Sequence, residues 1–148
     1  MLLRLKESRE DAQRIVRRPE IYKTICDDGS PTAEDFVIPE GWICVVAYVD
    51  EPAGCFVLHS LNSVTMECHV QILPEHRNLS AEIGRAVIQW AKDNTEAKKL
   101  IAWIPFDCEN VKCFAESMGF KVEGVSEGSI MKNGELLSQW LVGLKLWD

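Results

Sequence analysis

The sequence predicts a mixed α/β domain (an α+β mixed sheet): a mostly antiparallel sheet flanked by helices, in the order β-α-α-β-β-β-α-β-α-β-β. Three observations carry this. Three strand-type runs separated by turn signals lie between residues 42 and 73, which argues for an antiparallel meander. The apolar period then changes, because Ile83, Ala86, Val87, Trp90 and Ala91 form a helical stripe. After it, strand and helix signals alternate, and only this middle β-α-β-α-β part needs crossover connections. At 148 residues the chain has room for one core, so a single domain over 1–148 is expected.

Leu2 to Leu5 reads as an opening strand. Ser8 with Asp11 three residues on is a helix start of the capping-box type; that helix should turn Ala12, Ile15 and Val16 inward and Arg9, Arg14 and Arg17 outward. Pro19 opens a second short helix carrying Ile21, Tyr22 and Ile25. Gly29 to Glu40 is polar, holds two prolines and reads as a loop. Strands follow over Trp42 to Val49, Cys55 to His59 and Val64 to Leu73, with a turn over Asp50 to Gly54. The long helical stripe leads to a compact strand, Leu100 to Ile104. Val111, Phe114, Ala115 and Met118 mark another helix, stopped by Gly119. Phe120 to Val125 returns to strand. Asn133-Gly134 is a hairpin signal between Ile130-Met131 and Leu136 to Leu144. Trp42, Trp90, Trp103 and Trp140 fall on apolar stripes and read as core.

Composition excludes several classes. Apolar residues are 47% and charged residues 26% of the chain, the balance of a folded globular protein. A net charge of −7 argues against nonspecific binding to nucleic acid or anionic membrane. The longest uncharged apolar run, Trp42 to Val49, is too short to span a bilayer, and the start turns charged before a signal-peptide core could form. A cytoplasmic protein is expected. Six cysteines without a C-x-x-C pair read as reduced thiols, three of them in apolar runs, and no metal ligand set is expected.

The most telling stretch is His69-Val70-Gln71-Ile72-Leu73-Pro74-Glu75-His76-Arg77, a strand running into a loop just before the long helix. Asn110 precedes a short helix ending in Met118-Gly119-Phe120, and a late hairpin, Lys132 to Glu135, leads to a closing strand. In these motifs and in element order the chain resembles the GCN5-related N-acetyltransferase family, small bacterial and phage-encoded members in particular. The resemblance implies acetyl transfer from acetyl-coenzyme A to a primary amine by direct attack. In the family an Arg/Gln-x-x-Gly-x-Gly/Ala loop holds the cofactor pyrophosphate, which here points to Arg77, Asn78, Leu79, Ser80, Ala81 and Glu82. Ser80 and Glu82 stand where the family has glycines, and Gly84 comes two residues late, placed to pack against the cofactor. Backbone at Ile72 and Leu73 would pair with the pantetheine arm, with Asn110 and Phe114 completing the cofactor site. Ala115 replaces the tyrosine that often protonates the leaving thiolate, and Ser117 or Cys113 could substitute.

The residues themselves support part of this. Residues 76–99 carry five basic and three acidic side chains and are net positive, whereas residues 1–75 and 100–148 are each net negative, and a helix N-terminus is an anion site. Glu67 and His69 alternate on one strand and share a face, so either could take a proton from an amine. Asn110 could also simply cap its helix. His76 reads as a surface residue and His59 as an ordinary strand residue. Asp27, Asp28, Glu34, Asp35 and Glu40 suit a cationic small-molecule or peptide amine, though a solvated loop accounts for them equally well. A homodimer is compatible with this picture. Two rivals stay open: a non-catalytic member used for binding or assembly, as in a phage particle, and an acyl-coenzyme A sensor without turnover.

Overall fold

The computed structural model describes residues 2–147; residues 1 and 148, the ends of the expected domain, lie outside the described residues. The strands are β1 (Arg4–Glu7), β2 (Ile43–Val49), β3 (Glu51–Ser60), β4 (Thr65–Ile72), β5 (Lys99–Pro105), β6 (Lys121–Lys132) and β7 (Glu135–Lys145). The helices are α1 (Arg9–Arg17), α2 (Pro19–Ile25), α3 (Ser80–Asn94) and α4 (Glu109–Ser117), and a 3-10 turn over Pro74–Leu79 leads into α3. The seven strands form one sheet in the order β1-β2-β3-β4-β5-β7-β6. All neighbours run antiparallel except β4 and β5, joined through α3. The predicted order of elements is the observed one. No helix among the described residues is long and apolar enough to cross a membrane.

Alternation along the strands separates two cores. On one face Val45, Phe56, Leu58, Met66 and Cys68 pack against Ile83, Val87 and Ala91 of α3. On the other, Cys44, Val46, Cys55 and Val57 pack against Ala12, Ile15 and Val16 of α1 and Ile21 of α2. Ser8 caps α1 as its spacing predicts, its hydroxyl accepting the Asp11 N–H.

Several boundaries differ for identifiable reasons. β1 starts two residues late, at Arg4, where pairing with Tyr48 begins. The turn expected over five residues is tight at Asp50, whose φ is +67°, a conformation aspartate tolerates; Pro52 is therefore in β3. β6 is one 12-residue strand that runs on past Val125, where strand was expected to end, through Ile130 and Met131 to the hairpin, and its pairing is irregular between Ser126 and Ile130. Gly54 lies opposite Ile72, and a Cβ there would stand 2.7 Å from the Gln71 carbonyl oxygen, so the close approach of β3 to the end of β4 requires glycine. Trp103 is 40% exposed, and Trp42, Trp90 and Trp140 are half-buried, so none of the four is fully enclosed.

Arg9 is exposed as the stripe suggested and Arg17 is half-buried, but neither guanidinium is left to solvent alone. Arg9 donates to the Ile38 and Pro39 carbonyls at 2.7 and 2.8 Å, and Arg17 Nε to the Phe36 carbonyl at 2.9 Å. These guanidiniums satisfy the backbone of a long loop that has no ladder of its own.

Candidate active site

The site begins with a fork in the sheet. β4 and β5 pair only through Thr65–Lys99, Met66–Leu100 and Glu67–Ile101. Beyond that point β5 continues along β7, while Cys68 to Gln71 pair only with β3. A sheet cannot leave backbone edges bare in its interior without opening to water or a ligand, and a cavity of about 440 Å³ occupies the split. Glu67, His69 and Gln71 line it from β4, and Gly84 and Phe114 from α3 and α4. A second cavity of about 210 Å³ shares His69 and Gln71 and runs beneath Tyr22, Phe36, Ile38 and Trp42.

Glu67 stands at the fork. The β3–β4 register sets His59 opposite Glu67 and Val57 opposite His69, so both histidines and the carboxylate share one face. His59 Nε2 lies 3.6 Å from Glu67 Oε1, and His69 Nε2 lies 3.4 Å from Glu67 Oε2. The Trp42 indole stacks on His59 at 3.9 Å and lies nearly parallel to His69 at 5.8 Å, which fixes both rings. Burial pushes the His69 imidazole below its ordinary range; Glu67 opposes the shift and His59 adds to it. His69 is thus neutral at pH 7, with a lone pair available.

The expected phosphate loop is built differently. Arg77, Asn78 and Leu79 end the 3-10 turn, and Ser80, Ala81 and Glu82 are already the first residues of α3. The Ser80 N–H bonds the Arg77 carbonyl, and the Ser80 hydroxyl donates to the same oxygen at 2.8 Å. Arg77 turns back, its Nε donating to the Ile72 carbonyl at 2.8 Å. Arg77, Asn78 and Glu82 are exposed, Leu79 is buried, and Ser80 and Ala81 are half-buried; none of them lines the larger cavity. Leu73 has no backbone group left over as expected, because its N–H donates to Ala53 and its carbonyl accepts from His76. The backbone without a second strand lies upstream, from Cys68 to Gln71.

Gly84 reaches the cavity, but the place of its missing side chain belongs to α4: a Cβ would stand 2.6 Å from Met118 Sδ and 3.0 Å from Phe114 Cζ. Asn110 does not cap α4, because Cys108 holds that position and Asn110 is the helix's exposed second residue. Ser117 donates to the carbonyl of Phe114, three residues back, at 2.6 Å, and like the exposed Cys113 it stays off the cavity wall. His76 is no open surface residue: its side chain is 15% exposed and faces Glu51. In the acidic stretch, Asp28 accepts the N–H groups of Asn133 and Gly134 at 2.7 and 2.8 Å, and Asp27 accepts that of Gly29. Both carboxylates hold backbone. Sequence reasoning missed His59, Trp42 and the buried Lys132, whose ammonium lies 3.1 Å from Asp107 at the cavity wall.

No family model and no curated protein matches the chain. Solved structures do. A spermidine N-acetyltransferase from Vibrio cholerae, solved with coenzyme A and spermine, is 15% identical with a TM-score of 0.77, the match covering 97% of this chain and 95% of that one. A GNAT-superfamily phosphinothricin acetyltransferase from Sinorhizobium meliloti, in complex with acetyl-coenzyme A, is 17% identical with a TM-score of 0.70, covering 98% and 89%. A GNAT-family acetyltransferase from Streptococcus pneumoniae is 14% identical with a TM-score of 0.73, covering 97% and 99%. The chain has the fold of the GCN5-related N-acetyltransferases.

Proposed function

We propose that the protein is an N-acetyltransferase that moves the acetyl group of acetyl-coenzyme A to a primary amine. The observation that carries this reading is Glu67 at the fork of β4 and β5, beside His69 and at the wall of a cavity lined from both faces of the sheet, by Ile25 on one side and Gly84 and Phe114 on the other. The acyl donor would lie in the split against the backbone of Cys68 to Gln71 and the Phe114 side of the cavity. The acceptor would enter from the α1–α2 face, along the smaller cavity. Holding the amine and the thioester together supplies much of the rate.

Glu67, directly or through His69, takes the proton as the amine nitrogen attacks the thioester carbon. N–H groups of the unpaired β4 edge are placed to stabilise the developing oxyanion. The C–S bond then breaks, and coenzyme A leaves as a thiolate. A thiol with a pKa near ~8.5 departs well in that form, so with Ala115 in place of a tyrosine the thiolate takes its proton from water.

The lining argues for a different acceptor from the one the acidic loop suggested. The smaller cavity is walled by Tyr22, Phe36, Ile38 and Trp42, and no carboxylate among the described residues lines it, while Asp27 and Asp28 are engaged with backbone. A single amine on an apolar or aromatic body fits these walls better than a polyamine. The test is a melting curve with and without acetyl-coenzyme A, then thiol release over an amine panel. A raised melting temperature with thiol release on aromatic or branched monoamines is the expected result. No shift and no thiol release would overturn the reading, and a shift without turnover would favour an acyl-coenzyme A sensor.

A further inference from the structure

We propose that His59, Glu67 and His69 form a binding site for one divalent metal ion of the zinc type. The site stands on its own geometry; its consequence for catalysis rests on the acetyltransferase reading.

The register puts all three side chains on one face of two adjacent strands, so the constellation comes from regular backbone and not from a mobile loop. The three candidate ligand atoms lie within 4.8 Å of one another. Ligands at about 2.0–2.1 Å from a tetrahedral zinc stand roughly 3.3–3.4 Å apart. The separations of 3.4 and 3.6 Å between each imidazole Nε2 and its nearest Glu67 oxygen match that spacing. They exceed the ~2.7–3.2 Å of a direct N–H to oxygen bond.

A second observation points the same way. Among the described residues, His69 Nε2 is the one buried side-chain nitrogen or oxygen without a hydrogen-bond partner. The His69 side chain keeps 41% of its surface exposed, yet its Nε2 is buried and lies toward Glu67. Orphaned polar atoms of this kind are rare and call for an occupant. Stacking on Trp42 holds the imidazoles before any ion arrives, which lowers the ordering cost of binding. Two imidazoles and one carboxylate suit zinc. Glu67 and His69 also line the cavity, so a fourth position would open onto the cleft. Since a metal ion and a proton cannot use the same Glu67 lone pairs, zinc is an inhibitor of the transfer proposed above.

The test uses the full chain, freed of metal with a chelator and titrated with Zn²⁺ by calorimetry. One ion per chain is expected, with His59→Ala, Glu67→Gln and His69→Gln each weakening binding by more than the ~10–100-fold that an outer-shell partner is worth. Co²⁺ gives a readout that needs no variant: an N/O ligand set shows tetrahedral visible bands without the near-ultraviolet charge transfer of a thiolate. No binding, binding that survives all three substitutions, or a thiolate band would overturn the site. The loss of metal binding would leave the acetyltransferase reading intact. Zinc that binds through these residues without slowing acetyl transfer would uphold the site and overturn Glu67 as the base.

Discussion

The middle and the far end of β4 are built on different plans. At its middle, Glu67 and His69 sit in a cluster held by an aromatic stack, with a buried imidazole nitrogen left free. At its end, the segment from Leu73 to Ser80 closes on itself: the carbonyls of Ile72, Leu73 and Arg77 are taken by Arg77, His76 and Ser80. One region stores unsatisfied polar groups, as sites of chemistry do; the other has spent them. On the proposed reading, the difference implies that reactants would be positioned by the fork and its cavity more than by a glycine cradle for phosphate.

Glu67→Gln tests the first region and carries the largest expected effect. It keeps the shape and removes the proton acceptor, so kcat for thiol release should fall by ~10²–10⁴-fold. The melting temperature should barely move. An unchanged kcat would strip the cluster of its role as base.

Arg77→Glu tests the second region. If the guanidinium reaches the cofactor phosphates with the nitrogens that Ile72 does not use, acetyl-coenzyme A affinity should drop ~10–100-fold, the scale of charge-assisted hydrogen bonds lost. An isothermal titration that finds the same affinity would show the 3-10 turn to be purely structural. The contrast between the middle and the far end of β4 would then be complete.

How much of this was legible in the residues alone depended on range. α1 and its Ser8 cap, the α3 stripe and the Asn133-Gly134 turn follow from local period and turn chemistry, and each stands where predicted. The fork does not follow, because it depends on where pairing between two strands more than thirty residues apart stops. His59 was passed over for the same reason: its meaning lies in the register that sets it opposite Glu67. Strand pairing across the 60–64 turn, counted residue by residue, could have found it. Ser117 misled because a serine hydroxyl on a helix readily bonds a carbonyl one turn back. The acidic stretch misled because an aspartate before glycine binds nearby backbone, and Asp28 also reaches a hairpin 105 residues away.

Asp28→Ala sharpens that last point and carries a smaller effect. It removes two acceptors from the hairpin N–H groups, and stability should fall by about 1 kcal/mol, read as a lower urea midpoint. KM for the amine should stay the same. A raised KM with unchanged stability would return the carboxylate to the acceptor site.

The smallest effect concerns the tie between the two sides of the cleft. Arg18, between α1 and α2, bonds Glu75 of the 3-10 turn at 2.9 Å, and that contact, with a backbone hydrogen bond second, holds the Glu75 carboxyl below its ordinary range. A depressed carboxylate adds stability that is present above its unfolded-state pKa of about 4.5 and is lost as pH falls through the lower folded value. The pair is exposed, and exposed pairs contribute little. Glu75→Gln should therefore leave the melting temperature nearly unchanged at pH 7 and flatten its decline on the acid side of pH 4.5. Should the substitution instead weaken acetyl-coenzyme A binding, the pair would matter for setting the turn against α2, and the closed end of β4 would share in cofactor positioning after all.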